Sequence, residues 1–421
     1  MIYQYMDSKA QEYAVFDPKR AKKLFLLLQP HLRLNSYNIH IIGTNGKGST
    51  GRFITQSIIE SGYKVLHFTS PHVFDFKERF YTNSGIANNG IVSIQALLDA
   101  HNFLQQFSFI QEASYFEYAT FLALVLGQDC DYLVMEAGVG GEFDSTSILR
   151  YDISIFTRIG LDHKEMLGNT LESIALTKLR AAQGDIFTHF QEKKVLKLIE
   201  NIKNISVYVN DTELKRILPQ SITYLCEEDL HTEEIKTYNN IHKIPYFLLE
   251  NLALASLVLR RLNIPLLKNK LDIIGRFHAI LPNVVVDVGH NTMAANAAIS
   301  AAKSYFNNMP FVLIYNSYKD KEIREILSTF KEHISEIIIF MVENPRIIDF
   351  KEMENILDSM SIPYSFFCPY KTKLDLLPKK LIESEKVLRK DNKYLIFGSF
   401  SLVEQFLLWF SDTHGKQCYD G

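Results

Sequence analysis

The stretch IHIIGTNGKGST, residues 39–50, restricts the possible folds more than any other part of the chain. An apolar, β-branched run leads into a turn with three glycines, and the turn opens an amphipathic stretch with helical spacing. Strand, glycine turn and helix in that order begin a βαβ unit, so the chain needs a parallel sheet whose crossovers are helices. Gly43, Gly46 and Gly48 let successive backbone N–H groups converge on one point, the helix that follows presents its positive end there, and Lys47 adds a full charge. Gly43, Thr44, Asn45, Gly46, Lys47, Gly48, Ser49 and Thr50 therefore read as a cradle for the phosphates of a nucleotide triphosphate. In the commoner form of this loop Ser or Thr follows Lys directly. Here Gly48 stands between Lys47 and Ser49, so the loop is a variant. Alone, it does not distinguish kinase, ligase, motor or switch.

The rest of the chain repeats the pattern. Strands are expected at Asn38 to Ile42, Lys64 to Thr69, Asp131 to Met135 and Asp152 to Ile159, with helical periodicity in Thr50 to Ser61 and Tyr118 to Leu126. A second series follows at Val284 to Asp287, Phe311 to Tyr315, Glu336 to Met341, Tyr364 to Cys368 and Tyr394 to Phe397. At 421 residues the chain exceeds one comfortable core, and IPLLKNKLDIIGR, 264–276, lacks a clean helical period. The expectation is an α/β protein of two domains, 1–268 and 269–421. The acidic run EEDLHTEEIK, 227–236, reads as a solvated face.

Composition excludes several classes. Hydrophobic residues are 47% and charged residues 22%, the balance of a globular chain, and 45 basic against 48 acidic residues give a net charge of -3, with no cationic field for a nucleic acid. Cys130, Cys226, Cys368 and Cys418 are scattered without a C-x-x-C spacing, which points to a reducing cytoplasm rather than a disulfide framework or zinc ribbon. No run approaches the roughly 18–20 apolar residues that cross a bilayer, and the N-terminus does not read as a signal peptide.

Open parallel sheets bind ligands beyond the carboxyl ends of their strands, and further polar residues fall there. Glu136 ends a strand before Gly138, Gly140 and Gly141; His163 and Ser70 follow other strand ends, and such donors suit Mg²⁺ shared with substrate phosphates. Taken singly, Glu136 reads as a loop acid, His163 as a packed histidine, Ser70 as a cap before Pro71, Lys178 as an exposed helix lysine and Arg276 as a surface arginine. Asn251 and Ser399 read as a helix cap and a turn residue.

Read together and in order, GTNGKGST, SPH at 70–72, YFEY at 115–118, EAGVGGEFDST at 136–146 and LDHKEMLGNT at 161–170 resemble folylpolyglutamate synthase and dihydrofolate synthase, members of the Mur ligase superfamily. NLALASL with Asn251, Gly275-Arg276-Phe277, DVGHN at 287–291 and FGSF at 397–400 extend the resemblance over nearly the whole chain. It implies a P-loop ATPase domain of the Mur ligase type with a mainly parallel sheet, then a smaller Rossmann-like domain. The implied reaction is ATP-dependent: L-glutamate is joined to dihydropteroate or to a reduced folate through an acyl phosphate, by a monomer. Lys47, His163, Lys178 and His290 are the implied catalytic residues. Ser49, Ser70, Glu136, His163 and a carbamylated Lys178 would hold magnesium at two sites. Asn251, Arg276 and Asp287 would contact ATP. Pro71, Phe74, Arg79, Phe116, Asp144, Asp287, His290 and Ser399 would contact the pterin substrate or glutamate.

The chain departs from the family pattern at Glu142, where arginine is usual, at Ser147 in place of asparagine, and at Thr177, Leu179 and Arg180 around Lys178. Two rival readings remain: a ligase adding an amino acid to a UDP-muramyl precursor, and an ATP-dependent switch without catalysis. The first usually carries an extra N-terminal domain; the second leaves DVGHN and FGSF unexplained.

Overall fold

A computed structural model describes residues 2–9, 17–88, 90–201, 208–209, 212–213, 221–369, 378 and 380–415. The chain divides into two compact units, Met1–Ile244 with Leu248–Lys270, and Pro245–Phe247 with Leu271–Gly421. Among the described residues no helix is long and apolar enough to cross a membrane. Cys130, Cys226 and Cys368 are free thiols, and Cys418 lies outside the described residues.

The strands of the first unit are β1 (Tyr37–Ile42), β2 (Val65–Phe68), β3 (Phe80–Thr82), β4 (Ala87–Asn88), β5 (Ile91–Val92), β6 (Tyr132–Glu136), β7 (Ile153–Phe156), β8 (Asp185–Thr188), a two-stranded piece β9 (Tyr208–Val209) and β10 (Thr212–Glu213), and β11 (Ile222–Tyr224). Among the described residues they form a nine-stranded sheet in the order β11-β8-β7-β1-β6-β2-β3-β5-β4, with β9 and β10 apart from it. The run from β11 to β2 is parallel, and β3, β5 and β4 continue it antiparallel. β2 and β7 are buried at every residue because helices cover both faces, and such strands read as continuous apolar runs rather than alternating ones. β1, β2, β6 and β7 lie where the sequence puts strands, each within a few residues. The edge strands β3 to β5 are too short to give a periodic signal.

The second unit carries β12 (His278–Leu281), β13 (Val284–Asp287), β14 (Phe311–Tyr315), β15 (Ile334–Phe340), β16 (Tyr364–Phe367) and β17 (Tyr394–Phe397), ordered β12-β13-β17-β14-β15-β16. All neighbours are parallel except β12 with β13, so a second α/β unit is observed as the sequence implies. The chain crosses from β14 to β15 through helix Ile323–Phe330, whose Ile323, Ile326, Leu327 and Phe330 face the core. Of the acidic run, Glu227–His231 forms a 3-10 turn and Glu233–His242 a helix with Ile235 and Tyr238 turned inward.

Phe330 is fully buried, its ring 5.1 Å from Phe397 and 6.4 Å from Phe311. Phe330→Ala is expected to cost about 3–5 kcal/mol, read as a lower urea midpoint. Leu408→Ala, on an exposed helix face, should stay within about 0.5 kcal/mol of wild type.

Candidate active site

The phosphate loop is shaped by its neighbour β7. At the end of that strand Thr157 donates its N–H to the Ile42 carbonyl at 2.9 Å, and its side chain occupies the space that a Cβ on Gly43 would need. Only glycine fits there. The amides of Thr44 and Asn45 donate to the Arg158 carbonyl at 3.1 and 3.3 Å. Those two donors are engaged by the protein, which leaves the first-turn amides of helix Lys47–Glu60 to face an anion. Gly46 caps that helix in a left-handed conformation, φ 90°, and a Cβ there would meet Asn251 Oδ1 at 2.5 Å. Asn251, on helix Tyr246–Leu262, thus lies directly against the loop.

Three charged groups gather behind the loop. Lys47 Nζ donates to the carbonyls of Gly43 and Thr44, each at 3.3 Å, and sits 3.9 Å from Glu136 Oε1. Lys178 Nζ donates to the same Gly43 carbonyl at 2.9 Å. Glu136, at the carboxyl end of β6, accepts from the Thr69 hydroxyl and from the Ser70 N–H at 3.4 Å. Lys178 lies on helix Leu171–Leu179 and is 4% exposed, so the surface-lysine reading does not describe it. Burial above all, and then the nearby Lys47, push its pKa from 10.5 down to about 7 against the opposing pull of Asp162 and Asp144. Near neutral pH this amine loses its proton easily.

The donors suit a hard divalent cation. Ser49 Oγ is buried without a hydrogen-bond partner, an orphaned hydroxyl at the head of the helix, and Glu136 offers a carboxylate beside Lys47. Among the described residues no three His, Cys, Asp or Glu side chains converge. Magnesium bound with phosphates needs only one or two carboxylates, so such a sparse set suffices. His163 stands in a left-handed conformation, φ 49°, at the head of Lys164–Leu167, its N–H donating to Asp162 at 2.9 Å.

The remaining residues of this unit build walls. A cis bond joins Ser70 to Pro71. The Phe74 N–H donates to Glu78 at 2.9 Å inside a tight loop. Arg79 is 2% exposed; its Nε donates to His72 at 3.0 Å and its guanidinium lies 5.3 Å from the Tyr115 ring centre and 5.8 Å from that of Phe76. Phe116 stacks near Phe68, and its ring edge fills the space a side chain on Gly138 would take. Asp144 folds its own loop: it accepts from the Val139 N–H at 3.0 Å and from the Thr146 N–H and hydroxyl at 2.9 and 2.6 Å. Arg180 Nη1 donates to Glu142 at 3.1 Å, and the Glu142 N–H donates to the Thr177 carbonyl at 2.8 Å.

In the second unit Asp287 organises the group. Its carboxylate accepts from the Phe277 N–H at 2.9 Å and the Gly289 N–H at 2.7 Å, and burial raises its pKa while Arg276 and these bonds oppose the rise. Arg276 and His290 lie on the same aromatic, the Arg276 guanidinium 5.4 Å and the His290 ring 6.5 Å from the centre of Phe400. Asn291 caps helix Thr292–Tyr305 and Ser399 caps helix Phe400–His414, each side chain accepting from the first turn. The strands before these caps are neighbours, with Asp287 paired to Phe397. Arg276, Asp287, His290 and Ser399 therefore share one end of the sheet, where two helix N-termini begin.

Thr69, Arg158 and Glu250 did not stand out in the sequence. Thr69 had one available signal, its place at a strand end beside Ser70. Arg158 acts through its carbonyl, which sequence does not mark.

A phosphate loop after a parallel strand, with Lys47 and the buried Lys178 on one of its carbonyls, is the pattern of a P-loop ligase of the Mur type, and residues 41–245 match the Mur ligase middle domain. Over 98% of both chains the protein is 32% identical to the folylpolyglutamate synthetase of Helicobacter pylori, with a TM-score of 0.72. It is 27% identical over 419 residues to the dihydrofolate synthase/folylpolyglutamate synthase of Buchnera aphidicola, covering 93% of this chain and 94% of that one. Escherichia coli FolC in complex with ADP has the same fold, with a TM-score of 0.74 at 20% identity over 99% of this chain and 98% of that one. The chain belongs to the dihydrofolate synthase/folylpolyglutamate synthase family.

Two outcomes follow from this geometry. Between the folded pKa of Lys178 near 7 and its unfolded value of 10.5, the unfolded chain holds a proton that the folded chain lacks. Stability gained from this group therefore rises with pH across that window, by up to about 1.4 kcal/mol per unit, and is lost as pH falls toward 7. Unfolding of wild type and Lys178→Met in urea from pH 7 to 10 reads it as a difference that grows in favour of wild type. Separately, Gly46→Ala forces a side chain onto Asn251 in a left-handed backbone and should weaken labelled-ADP binding at least tenfold, about 1.4 kcal/mol.

Proposed function

We propose that the chain is an ATP-dependent carboxylate–amine ligase that adds L-glutamate to dihydropteroate, to a reduced folate, or to both. The observation that carries this is the cluster at the head of helix Lys47–Glu60: two lysines on one carbonyl, Glu136 beside them and the orphaned Ser49 hydroxyl. Such a cluster serves phosphoryl transfer better than simple nucleotide retention, because it concentrates charge where the γ-phosphate would lie. The full-length likeness to the Helicobacter pylori folylpolyglutamate synthetase supplies the acceptor class.

A carboxylate is a poor electrophile until one oxygen becomes a good leaving group. The pterin-bearing carboxylate takes the γ-phosphoryl of ATP, forming an acyl phosphate and ADP. The α-amine of glutamate then attacks the acyl carbon, the tetrahedral intermediate expels phosphate, and the amine proton passes to solvent or a nearby base. Lys47 counters the charge on the transferring oxygens and Asn251 holds the adenine edge; Arg276 is assigned to ATP, and Asp287, His290 and Ser399 to glutamate. No side-chain nucleophile is needed, since positioning and electrostatics do the catalysis. Magnesium, held by Ser49, Ser70, Glu136 and His163, would neutralise phosphate charge. A carbamate on Lys178 would provide a ligand at a second magnesium site. Pro71, Phe74, Arg79, Phe116 and Asp144 are assigned to the pterin side. The enzyme is taken to act as a monomer in the cytoplasm.

ADP release by purified protein with ATP, Mg²⁺ and L-glutamate tests this with dihydropteroate, tetrahydrofolate, a UDP-muramyl peptide or no acceptor. Stimulation by either pterin is expected, and which one decides between one activity and two; stimulation by the muramyl peptide alone, or by none, refutes the assignment. Lys47→Ala and His163→Ala should each lower turnover by at least about a hundredfold. Native mass measurement in bicarbonate should show one added CO₂ on wild type and none on Lys178→Ala.

A further inference from the structure

The Arg158–Glu250 ion pair lies outside every role assigned above. Arg158 Nη2 donates to Glu250 Oε1 at 2.9 Å, and the side chains are 40% and 11% exposed. His189 Nε2 lies 3.8 Å from the other Glu250 oxygen and is 2% exposed. Burial, with Arg158 nearby, pushes the His189 pKa down to about 3, so this imidazole is neutral and the charge facing Glu250 is that of Arg158. Burial raises the pKa of Glu250, Arg158 opposes it, and Glu227 adds to it. A carboxylate this deeply buried is costly unless its partner is kept.

What the pair joins gives it a consequence. The Arg158 carbonyl accepts the amides of Thr44 and Asn45, so this residue carries the start of the phosphate loop. The segment is fixed from behind by Gln191, whose Oε1 accepts the Ile159 N–H and whose Nε2 donates to the Thr157 carbonyl, each at 3.0 Å. Glu250 immediately precedes Asn251 on helix Tyr246–Leu262, and Asn251 lies against Gly46. One ion pair thus links the backbone that hangs the phosphate loop to the helix that carries the base-side asparagine. Resting on the nucleotide assignments above, we propose that Arg158 and Glu250 are positioning residues for ATP: their pairing sets the distance between the phosphate loop and Asn251, and so the affinity for nucleotide, without touching the transferring phosphoryl group.

The test uses the full chain with Mg²⁺ and a fluorescent ATP analogue, alongside steady-state kinetics. Glu250→Gln and Arg158→Met keep side-chain size and should each raise Kd and the KM for ATP about tenfold, while the double variant is no worse than either single. Turnover at saturating ATP should stay within about threefold of wild type and the KM for glutamate should not move, a split that general destabilisation does not give. Arg260→Met, which removes from the same helix an ion pair to Asp229 of the Glu227–His231 turn, is the control and should leave Kd unchanged. Unchanged affinity in both single variants, additive losses in the double, or an equal rise in the KM for glutamate overturns the proposal. A wild type that binds no nucleotide overturns the parent assignment and this one with it; a wild type that binds normally while the variants match it overturns this one alone.

Discussion

The carbonyl of Gly43 accepts hydrogen bonds from two lysine ammonium groups, and much of the first unit is arranged to make that possible. Two cations on one oxygen repel unless one can become neutral. Lys178 can, because it is buried on helix Leu171–Leu179 while Lys47 remains more open at the helix head. Its depressed pKa, normally a cost of burying an amine, here eases the repulsion between the two amines. Gly43 must lack a side chain so that its carbonyl can turn toward both lysines under Thr157. The order of the sheet, with β1 between β6 and β7, then places Glu136 on one side of the loop and Arg158 on the other.

The second unit reaches a comparable arrangement by different means. It has no glycine loop between strand and helix at Asp287. A buried carboxylate instead collects the amides of Phe277 and Gly289, which folds the Gly275–Phe277 segment back over the strand end and brings Arg276 to the ring that His290 also faces. Phe277 adopts a positive φ of 46° in that turn, a strain that the two bonds to Asp287 offset. In both units polar groups sit beyond the carboxyl ends of parallel strands, because there the helix N-termini and loop amides all point the same way.

The sequence made the parallel strands legible because they are buried on both faces and therefore apolar throughout: Val284–Asp287, Phe311–Tyr315 and Tyr394–Phe397 occur as read. It could not reveal β3 to β5, whose two- and three-residue lengths carry no period. The phosphate loop was legible since glycine and lysine spacing follows directly from anion geometry. Lys178 was less so: on composition a helical lysine belongs at the surface, and what holds its amine inward is the Gly43 carbonyl, 135 residues away in the chain. Arg158 and Glu250 were illegible for a different reason. One acts through its backbone carbonyl, and the other matters through a partner 92 residues away in the chain.

Departures from a family pattern that look independent in sequence can be one feature in space. Glu142 and Arg180 are two of the positions at which the sequence departs from the pattern of the family it resembles. The two side chains pair at 3.1 Å, with Glu142 6% exposed and Arg180 39% exposed. The carboxylate in the glycine loop thus has a basic partner at the end of helix Leu171–Leu179. Because the arginine is well exposed, the pair adds no more than about 1 kcal/mol to stability. Its larger effect is geometric: with the Glu142 N–H on the Thr177 carbonyl and the Ser147 hydroxyl on the Gly141 carbonyl, it ties the loop to helix Leu171–Leu179. A single reversion, Glu142→Arg, would set two arginines against each other beside a buried lysine, so the position is tied to Arg180 and cannot be judged alone.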